Sequence, residues 1–253
     1  MDIRGRAAIV TGAGSGLGEA TARALASAGA KVAVFDVDED GAAKVAAAIG
    51  GIAVRCDVSD AASAEAAVAK AREAHGAARV AVSCAGIAPA ARIVGRKGPQ
   101  PLDDFARVVG VNLLGTFNIM RLAAADMERL EALATGERGV IVSTASIAAF
   151  EGQIGQAAYA ASKGGVVALT LPAAREFARH GIRVLTIAPG TFGTPMLKAL
   201  PEETQASLGA AVPFPSRLGD PAEFAALVLH MVDNVMLNGE TIRLDGALRM
   251  PPT

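Results

Sequence analysis

The amino-acid sequence predicts an α/β fold: one domain over residues 1–253, built on a doubly wound, seven-stranded parallel sheet with helices on both faces. Three observations carry the prediction. Short β-branched runs alternate with longer Ala- and Leu-rich segments of helical period, turn residues punctuate the joins, and 253 residues suffice for one sizeable core but are short for two. The runs at 7–11, 31–35, 52–56, 79–83, 139–143, 183–187 and 240–244 read as strands, with helices between most consecutive pairs. Parallel neighbours need crossover connections, which are overwhelmingly right-handed and send helices to both faces.

The first strand begins within a few residues of Met1, which leaves no room for a signal or transit peptide. With no apolar stretch read as long enough to span a bilayer, a cytoplasmic setting is expected. It runs into Thr11-Gly12-Ala13-Gly14-Ser15-Gly16-Leu17-Gly18 and then a helical segment at 19–28. Glycines there let backbone N–H groups approach a pyrophosphate at the positive end of the helix, although Leu17 stands where a strict GxGxxG has its third glycine. A tight turn without a ligand is the alternative.

The second strand leads to Asp36, at the distance where an acidic residue meets the adenosine ribose hydroxyls of a Rossmann-type dinucleotide site. A 2′-phosphate beside that carboxylate would be repelled by ~4 kcal/mol per unit charge at ~4 Å and effective dielectric ~20, so NAD is expected over NADP. A helix-capping aspartate is the competing role. After the third strand, Asp57 and Val58 are placed to meet the adenine amine and ring face.

Further along, a helix is expected over 108–122 with Asn112 inside it, and a buried helical amide needs a specific partner. Either it holds a water that serves Lys163, or it bonds to backbone. Ser146 follows the fifth strand and so lies at the carboxyl edge of the sheet, where open α/β folds bind ligands. Tyr159, the chain's one tyrosine, and Lys163 stand at i and i+4 on a helix expected over 157–179. Hydride transfer to or from an alcohol needs a group that moves the hydroxyl proton, and a phenol serves if its pKa falls well below ~10. The Lys163 ammonium is a source of that shift and a partner for the nicotinamide ribose. Ser146 is the donor to the substrate oxygen.

Two stretches break the rhythm: 91–101, with the basic Arg92, Arg96 and Lys97, and the Pro-containing 190–220. Both are expected to face substrate. In the second, Phe192, Met196, Leu197, Leu200 and Leu208 line an acyl pocket or else pack on the core, with Gly190, Gly193 and Gly209 as hinges of a lid. The three basic residues meet substrate phosphates or remain solvated. The small residues Ala157, Ala161, Gly164, Gly165 and Ala168 suit a close helix approach, either between copies or within the chain.

Composition excludes other classes. The chain is 52% hydrophobic but 4% aromatic without Trp, and 24 basic residues balance 25 acidic ones, with no basic stripe for nucleic acid. Cys56 and Cys84 lie in strand-like runs as free thiols, and three scattered histidines make no metal-ligand spacing, so no metal site is expected.

Together these residues resemble the short-chain dehydrogenase/reductase family along essentially the whole chain. The family's Thr-Gly-x-x-x-Gly-x-Gly pattern is matched by Thr11, Gly12, Gly16 and Gly18, and its Asn, Ser, Tyr and Lys by Asn112, Ser146, Tyr159 and Lys163. The resemblance also implies cofactor contacts from Ser15, Leu17, Ala85 and Gly86, and from the nicotinamide-side segment Pro189, Gly190, Thr191, Phe192 and Thr194. Ser83-Cys84-Ala85-Gly86 departs from the usual Asn-Asn-Ala-Gly: Ser83 replaces an amide that ties adjacent strands, so altered local bonding is expected there. Stretches 145–163, 187–195, 212–222 and 237–250 are similar to one group within the family, the type 2 3-hydroxyacyl-CoA dehydrogenases. That similarity implies NAD-dependent interconversion of 3-hydroxyacyl-CoA and 3-oxoacyl-CoA in fatty acid metabolism by a homotetramer. The alternatives are the same chemistry on a hydroxysteroid or other secondary alcohol, and a non-catalytic NAD-binding scaffold, which has no need of Tyr159 or Lys163.

Overall fold

The computed structural model describes every residue except Lys97, Leu200 and Thr253, and the side chain of Met196 also stands outside the description. The strands are β1 Ala7–Thr11, β2 Lys31–Asp36, β3 Ile52–Arg55, β4 Val80–Ser83, β5 Val94–Gly95, β6 Gly98–Pro99, β7 Gly139–Thr144, β8 Ile182–Pro189 and β9 Thr241–Leu244. Seven of them form one sheet in the order β3-β2-β1-β4-β7-β8-β9, paired in parallel throughout. Strand order reverses between β1 and β4, and a crevice opens at their carboxyl ends. Every residue of β1, β4, β7 and β8 is buried, as expected of central parallel strands covered on both faces.

The helices are α1 Gly16–Ser27, α2 Glu39–Ile49, α3 Ala61–His75, α4 Leu102–Val109, α5 Gly115–Glu128, α6 Ala157–Phe177, α7 Pro195–Lys198, α8 Glu202–Ala210 and α9 Pro221–Asp233. On one face of the sheet Val10, Val34, Val82, Val142, Leu185 and Ile187 pack with Leu25 of α1, Val45 of α2 and Phe224 of α9. On the other, Ile9 and Phe35 meet Val68 of α3, while Ala81, Ile141 and Val184 meet Met120 of α5 and Ala173 of α6. The ends are coded locally. Asp38 caps α2 by accepting from the Gly41 N–H and left-handed Gly50 (φ 65°) ends it, while Asp220 and Glu223 form a capping box on α9, with Pro221 at its first position.

The seven expected strands are present, the first with the expected bounds and the others with one or both ends shifted by one or two residues. Three features differ from expectation. The 91–101 stretch carries the two-stranded antiparallel hairpin β5-β6. The helix expected over 108–122 is three pieces, α4, a π-helical turn at Gly110–Leu114, and α5. This helical run, Leu102–Glu128, is also long and apolar enough by composition to cross a membrane, contrary to the sequence reading. Half of its most apolar window is buried within the fold, with Ile119, Met120 and Met127 fully enclosed.

Below the sheet, Arg183 of β8 closes the carboxyl end of α9. Its Nε donates to Glu137 at 2.8 Å and its terminal nitrogens donate to the carbonyls of Met231, Val232, Asn234 and Leu237. Both charged side chains are almost wholly buried. Replacing Arg183 with Met leaves Glu137 buried without its strongest partner, a change that costs about 3–5 kcal/mol. Thermal denaturation should show a loss of more than about 6 °C, and Arg183→Met combined with Glu137→Leu should recover much of it. A single variant as stable as the parent would refute this account.

Candidate active site

The glycine loop forms because its backbone must pass close to its neighbours. Gly12 sits at φ +61°, and a Cβ there would lie 2.6 Å from the Ala85 nitrogen; a Cβ on Gly18 would collide with the Gly12 carbonyl. Ser15 begins α1 without a side-chain cap, so the first-turn N–H groups remain directed at the crevice. Asp36 does not cap a helix, since Asp38 does that for α2. Its Oδ2 accepts from the Gly14 N–H at 2.8 Å and its Oδ1 from the Asp38 N–H at 3.0 Å. A carboxylate has about four acceptor positions, so capacity remains for two ribose hydroxyls. Asp57 Oδ1 is taken up by the Ser59 N–H and hydroxyl, and Val58 is wedged against Gly115.

A cleft of about 580 Å³ runs along the carboxyl edge of β1, β4, β7 and β8. It is lined by Gly12, Ser15, Gly16, Leu17, Gly18, Asp36, Asp57, Val58, Ala85 and Gly86 toward one end, and by Ser146, Tyr159, Lys163, Pro189, Gly190, Phe192 and Thr194 toward the other. Free N–H groups at a helix start, an acidic side chain and a floor of glycines fit a dinucleotide. Burial pushes the Tyr159 phenol above its ordinary range, and the Ser146 hydroxyl bonded to it pulls the other way. Lys163 is buried and donates to the Thr144 carbonyl at 2.7 Å, with its ammonium 5.8 Å from the centre of the Tyr159 ring. Burial brings Lys163 down to about 8. The expected acidification of the phenol by Lys163 is thus not a property of the chain alone.

Two expected site residues lie off the cleft wall. Asn112 is fully buried behind it, at the π-helical turn. Its Oδ1 accepts from the Ile87 N–H at 2.8 Å, while its Nδ2 donates to the Ile87 carbonyl and to Ser162 Oγ. Ser162 in turn donates to the Tyr159 carbonyl at 2.7 Å. Asn112 therefore ties the segment after β4 to the first turns of α6. Thr191 faces a separate cavity of about 100 Å³ with Val212, Arg217 and Glu223. Phe192 touches the cleft but belongs to the core, edge-on to Phe224 at 6.4 Å. Of the expected acyl-pocket residues, Leu197 lines the cleft and Leu208 does not; Leu200 and the Met196 side chain fall outside the described residues. Arg92 and Arg96 are exposed, and Lys97 is not described.

The cleft also holds residues that the sequence reading missed, among them Cys84, Ile87, Arg107 and Thr144. Ile87 and Thr144 had a signal, since Ile87 follows β4 and Thr144 ends β7 at the carboxyl edge. Arg107 had none: it arrives from α4, far along the chain, and makes no ion pair among the described residues. Ser83 bears out the expectation of altered bonding. Its hydroxyl and that of Ser143, register partners on β4 and β7, are buried without a hydrogen-bond partner. Both cysteines are free, and burial pushes the thiols up to about 12 for Cys56 and about 11 for Cys84, far from a reactive thiolate.

Comparison with known proteins gives the same answer as the geometry. Residues 6–205 match the family model described as short chain dehydrogenase. The chain is 52% identical over 254 residues to a 3-hydroxyacyl-CoA dehydrogenase type-2 of Homo sapiens, covering 99% of this chain and 97% of that protein. It is 48% identical to the protein of that name in Drosophila melanogaster, covering 99% and 100%. A crystal structure of 3-hydroxyacyl-CoA dehydrogenase type-2 from Mycobacterium avium superposes with a TM-score of 0.94 at 44% identity, over 98% of both chains. A Rossmann-type sheet, a glycine loop under a helix start and a Ser-Tyr-Lys cluster at the far end of one cleft therefore place this chain in the short chain dehydrogenase family, as an oxidoreductase that takes a nicotinamide cofactor and a small-molecule substrate.

Proposed function

We propose that the protein interconverts 3-hydroxyacyl-CoA and 3-oxoacyl-CoA with NAD, in fatty acid metabolism. The observation that carries the reading is one cleft with Asp36 at its adenosine end and Ser146, Tyr159 and Lys163 at the other. The full-length similarity to proteins named 3-hydroxyacyl-CoA dehydrogenase type-2 supports the substrate class. NAD supplies the hydride acceptor when bound. Residues 12–18 would hold its pyrophosphate, Asp36 the adenosine ribose, Asp57 and Val58 the adenine, and Ala85, Gly86, Pro189, Gly190, Phe192 and Thr194 the nicotinamide half. Lys163 holds a proton at Nζ, 5.8 Å from the centre of the Tyr159 ring, and would bind the nicotinamide ribose hydroxyls. The Tyr159 phenol moves the proton of the substrate hydroxyl, and Ser146 donates to the same oxygen as charge develops on it. Asn112, through Ile87 and Ser162, keeps the walls of this end in register.

The 190–220 segment, with α7 and α8, serves as the lid over the acyl chain, and the exposed Arg92 and Arg96 meet the phosphates of the CoA ester. The protein assembles as a homotetramer, a reading supported by exposed Leu114 at the end of the π-helical turn, Phe117 on α5 and Leu171 on α6, beside the exposed Ala161 and Ala168. Free, unreactive cysteines accord with a cytoplasmic setting.

Acetoacetyl-CoA with NADH is the direct assay, followed by loss of NADH absorbance. Turnover should favour NADH over NADPH by at least about tenfold, and Asp36→Ser should narrow that ratio by about tenfold or more, because it removes the like-charge repulsion. Asp36→Ser should also weaken NADH itself, since the Gly14 N–H loses its acceptor. No turnover across several acyl lengths, with a hydroxysteroid or other secondary alcohol accepted, would replace the substrate; a preference for NADPH would overturn the cofactor.

A further inference from the structure

The carboxyl-terminal residues are fastened to the segment between Ser146 and Tyr159 by a four-membered charge cluster outside the cleft. Arg243 of β9 donates from Nε to Asp245 at 2.7 Å, from its terminal nitrogens to both oxygens of Glu151 at 2.8 and 3.1 Å, and to the Leu248 carbonyl at 3.0 Å. Its guanidinium lies over the Phe150 ring at 5.3 Å. Arg249 completes the cluster against Glu151 and Asp245. Around it, the Met250 N–H donates to Glu151, the Ile154 N–H to the Pro252 carbonyl, and Gln153 Nε2 to the Pro251 carbonyl.

Three details separate this from an ordinary surface ion pair, which contributes little. Four donations use four of the five N–H donors of the Arg243 guanidinium and a ring lies against its face, so it has little left for a ligand. Asp245 is buried to 7% exposure and packs directly on Gly190, where a Cβ would lie 2.9 Å from the Asp245 Cβ. Leu248 is buried against Ile147, the residue next to Ser146. The cluster thus links three cleft positions: Ser146 through Ile147, the Tyr159 helix through 150–156, and the Gly190 bend through Asp245.

We propose that Arg243 and Glu151, with Asp245, are positioning residues that set the spacing of the Ser146 hydroxyl and the Tyr159 phenol. This rests on the reading of Tyr159 as the proton-transfer group and not on which alcohol is the substrate. A bidentate Arg–carboxylate pair fixes direction as well as distance, and small misplacements of reacting groups cost rate far more than stability. Loosening the pair lets the 147–156 segment drift, which weakens the Ser146–Tyr159 hydrogen bond.

The chain's single tyrosine and lack of tryptophan make the test direct, because ultraviolet absorbance of tyrosinate reports Tyr159 alone. With NAD bound, Glu151→Gln and Arg243→Met should raise the Tyr159 titration midpoint by roughly half a pH unit or more. In steady-state assays kcat should fall about tenfold, with KM for NADH within about twofold. Arg243→Lys, which keeps the charge but loses the fork, should fall between parent and Arg243→Met and guards against a variant that does not fold. Folded variants that melt earlier but keep the parental midpoint and kcat would overturn the proposal. The titration needs no substrate, so failure of acetoacetyl-CoA turnover would count against the substrate assignment and leave this test standing.

Discussion

Tyr159→Phe should reduce turnover by about 10³-fold or more while leaving NADH binding within a few-fold of the parent. The change removes one oxygen from a residue whose ring has other reasons to be there, being packed in the cleft wall above Lys163. Ser146 cannot replace it, because a serine hydroxyl is too weak an acid to change protonation state at accessible pH. The pH profile carries a second signature. Burial raises the phenol and Ser146 lowers it, so alcohol oxidation in the parent should rise with pH as the phenolate fraction grows, and that limb should vanish in Tyr159→Phe. Fluorescence titration of NADH measures the binding, and steady-state rates measure the rest. Parental turnover in the variant would remove the proposed proton transfer.

Lys163→Met should abolish most activity and yet make the protein more stable at neutral pH. Burial holds the Lys163 ammonium at about 8, against 10.5 for an ordinary lysine. Below pH 8 the group is charged in both folded and unfolded chains, and the folded state carries the whole burial penalty. Between 8 and 10.5 the unfolded chain binds more protons, so stability rises with pH; above 10.5 both states are neutral and the penalty is gone. The gap corresponds to roughly 3 kcal/mol, of which about 1 kcal/mol is returned because the Thr144 carbonyl loses its donor. Thermal denaturation of Lys163→Met should therefore show a gain of several degrees at pH 7 that shrinks toward pH 10. A variant less stable than the parent at pH 7 would show that Lys163 is not held at a cost. The trade is expected where a group is buried for chemistry and not for packing.

The parts of the site that were legible share a physical property: their meaning is local. The Gly12–Gly18 loop reads from sequence because backbone contact with a ligand demands glycine at particular spacings. Tyr159 and Lys163 read as a pair because four residues on a helix is one turn. Asp36 reads from its place at a strand end, although its bonds to Gly14 and Asp38 were not foreseen. The parts that were not legible depend on what meets across the fold. A π-helical turn is flanked by ordinary helix on both sides, so 108–122 looks continuous, and nothing local says that Asn112 faces Ile87 and Ser162. Arg107 comes to the cleft, Thr191 turns away from it, and half of the most apolar window of Leu102–Glu128 is buried inside the fold.

By itself the sequence determined the strand and helix rhythm, the parallel seven-stranded sheet and the glycine loop before α1, because hydrophobic period and glycine stereochemistry are written residue by residue. Tertiary structure alone decided the electrostatic state of the site. Whether Lys163 is an ordinary lysine or one held near neutrality, and whether the Tyr159 phenol is raised or lowered, depends on the surrounding dielectric and on which carbonyl or hydroxyl is hydrogen-bonded to it. Those neighbours, Thr144 and Ser146, are brought there by β7 and the turn that follows it, thirteen or more residues before Tyr159 in the chain.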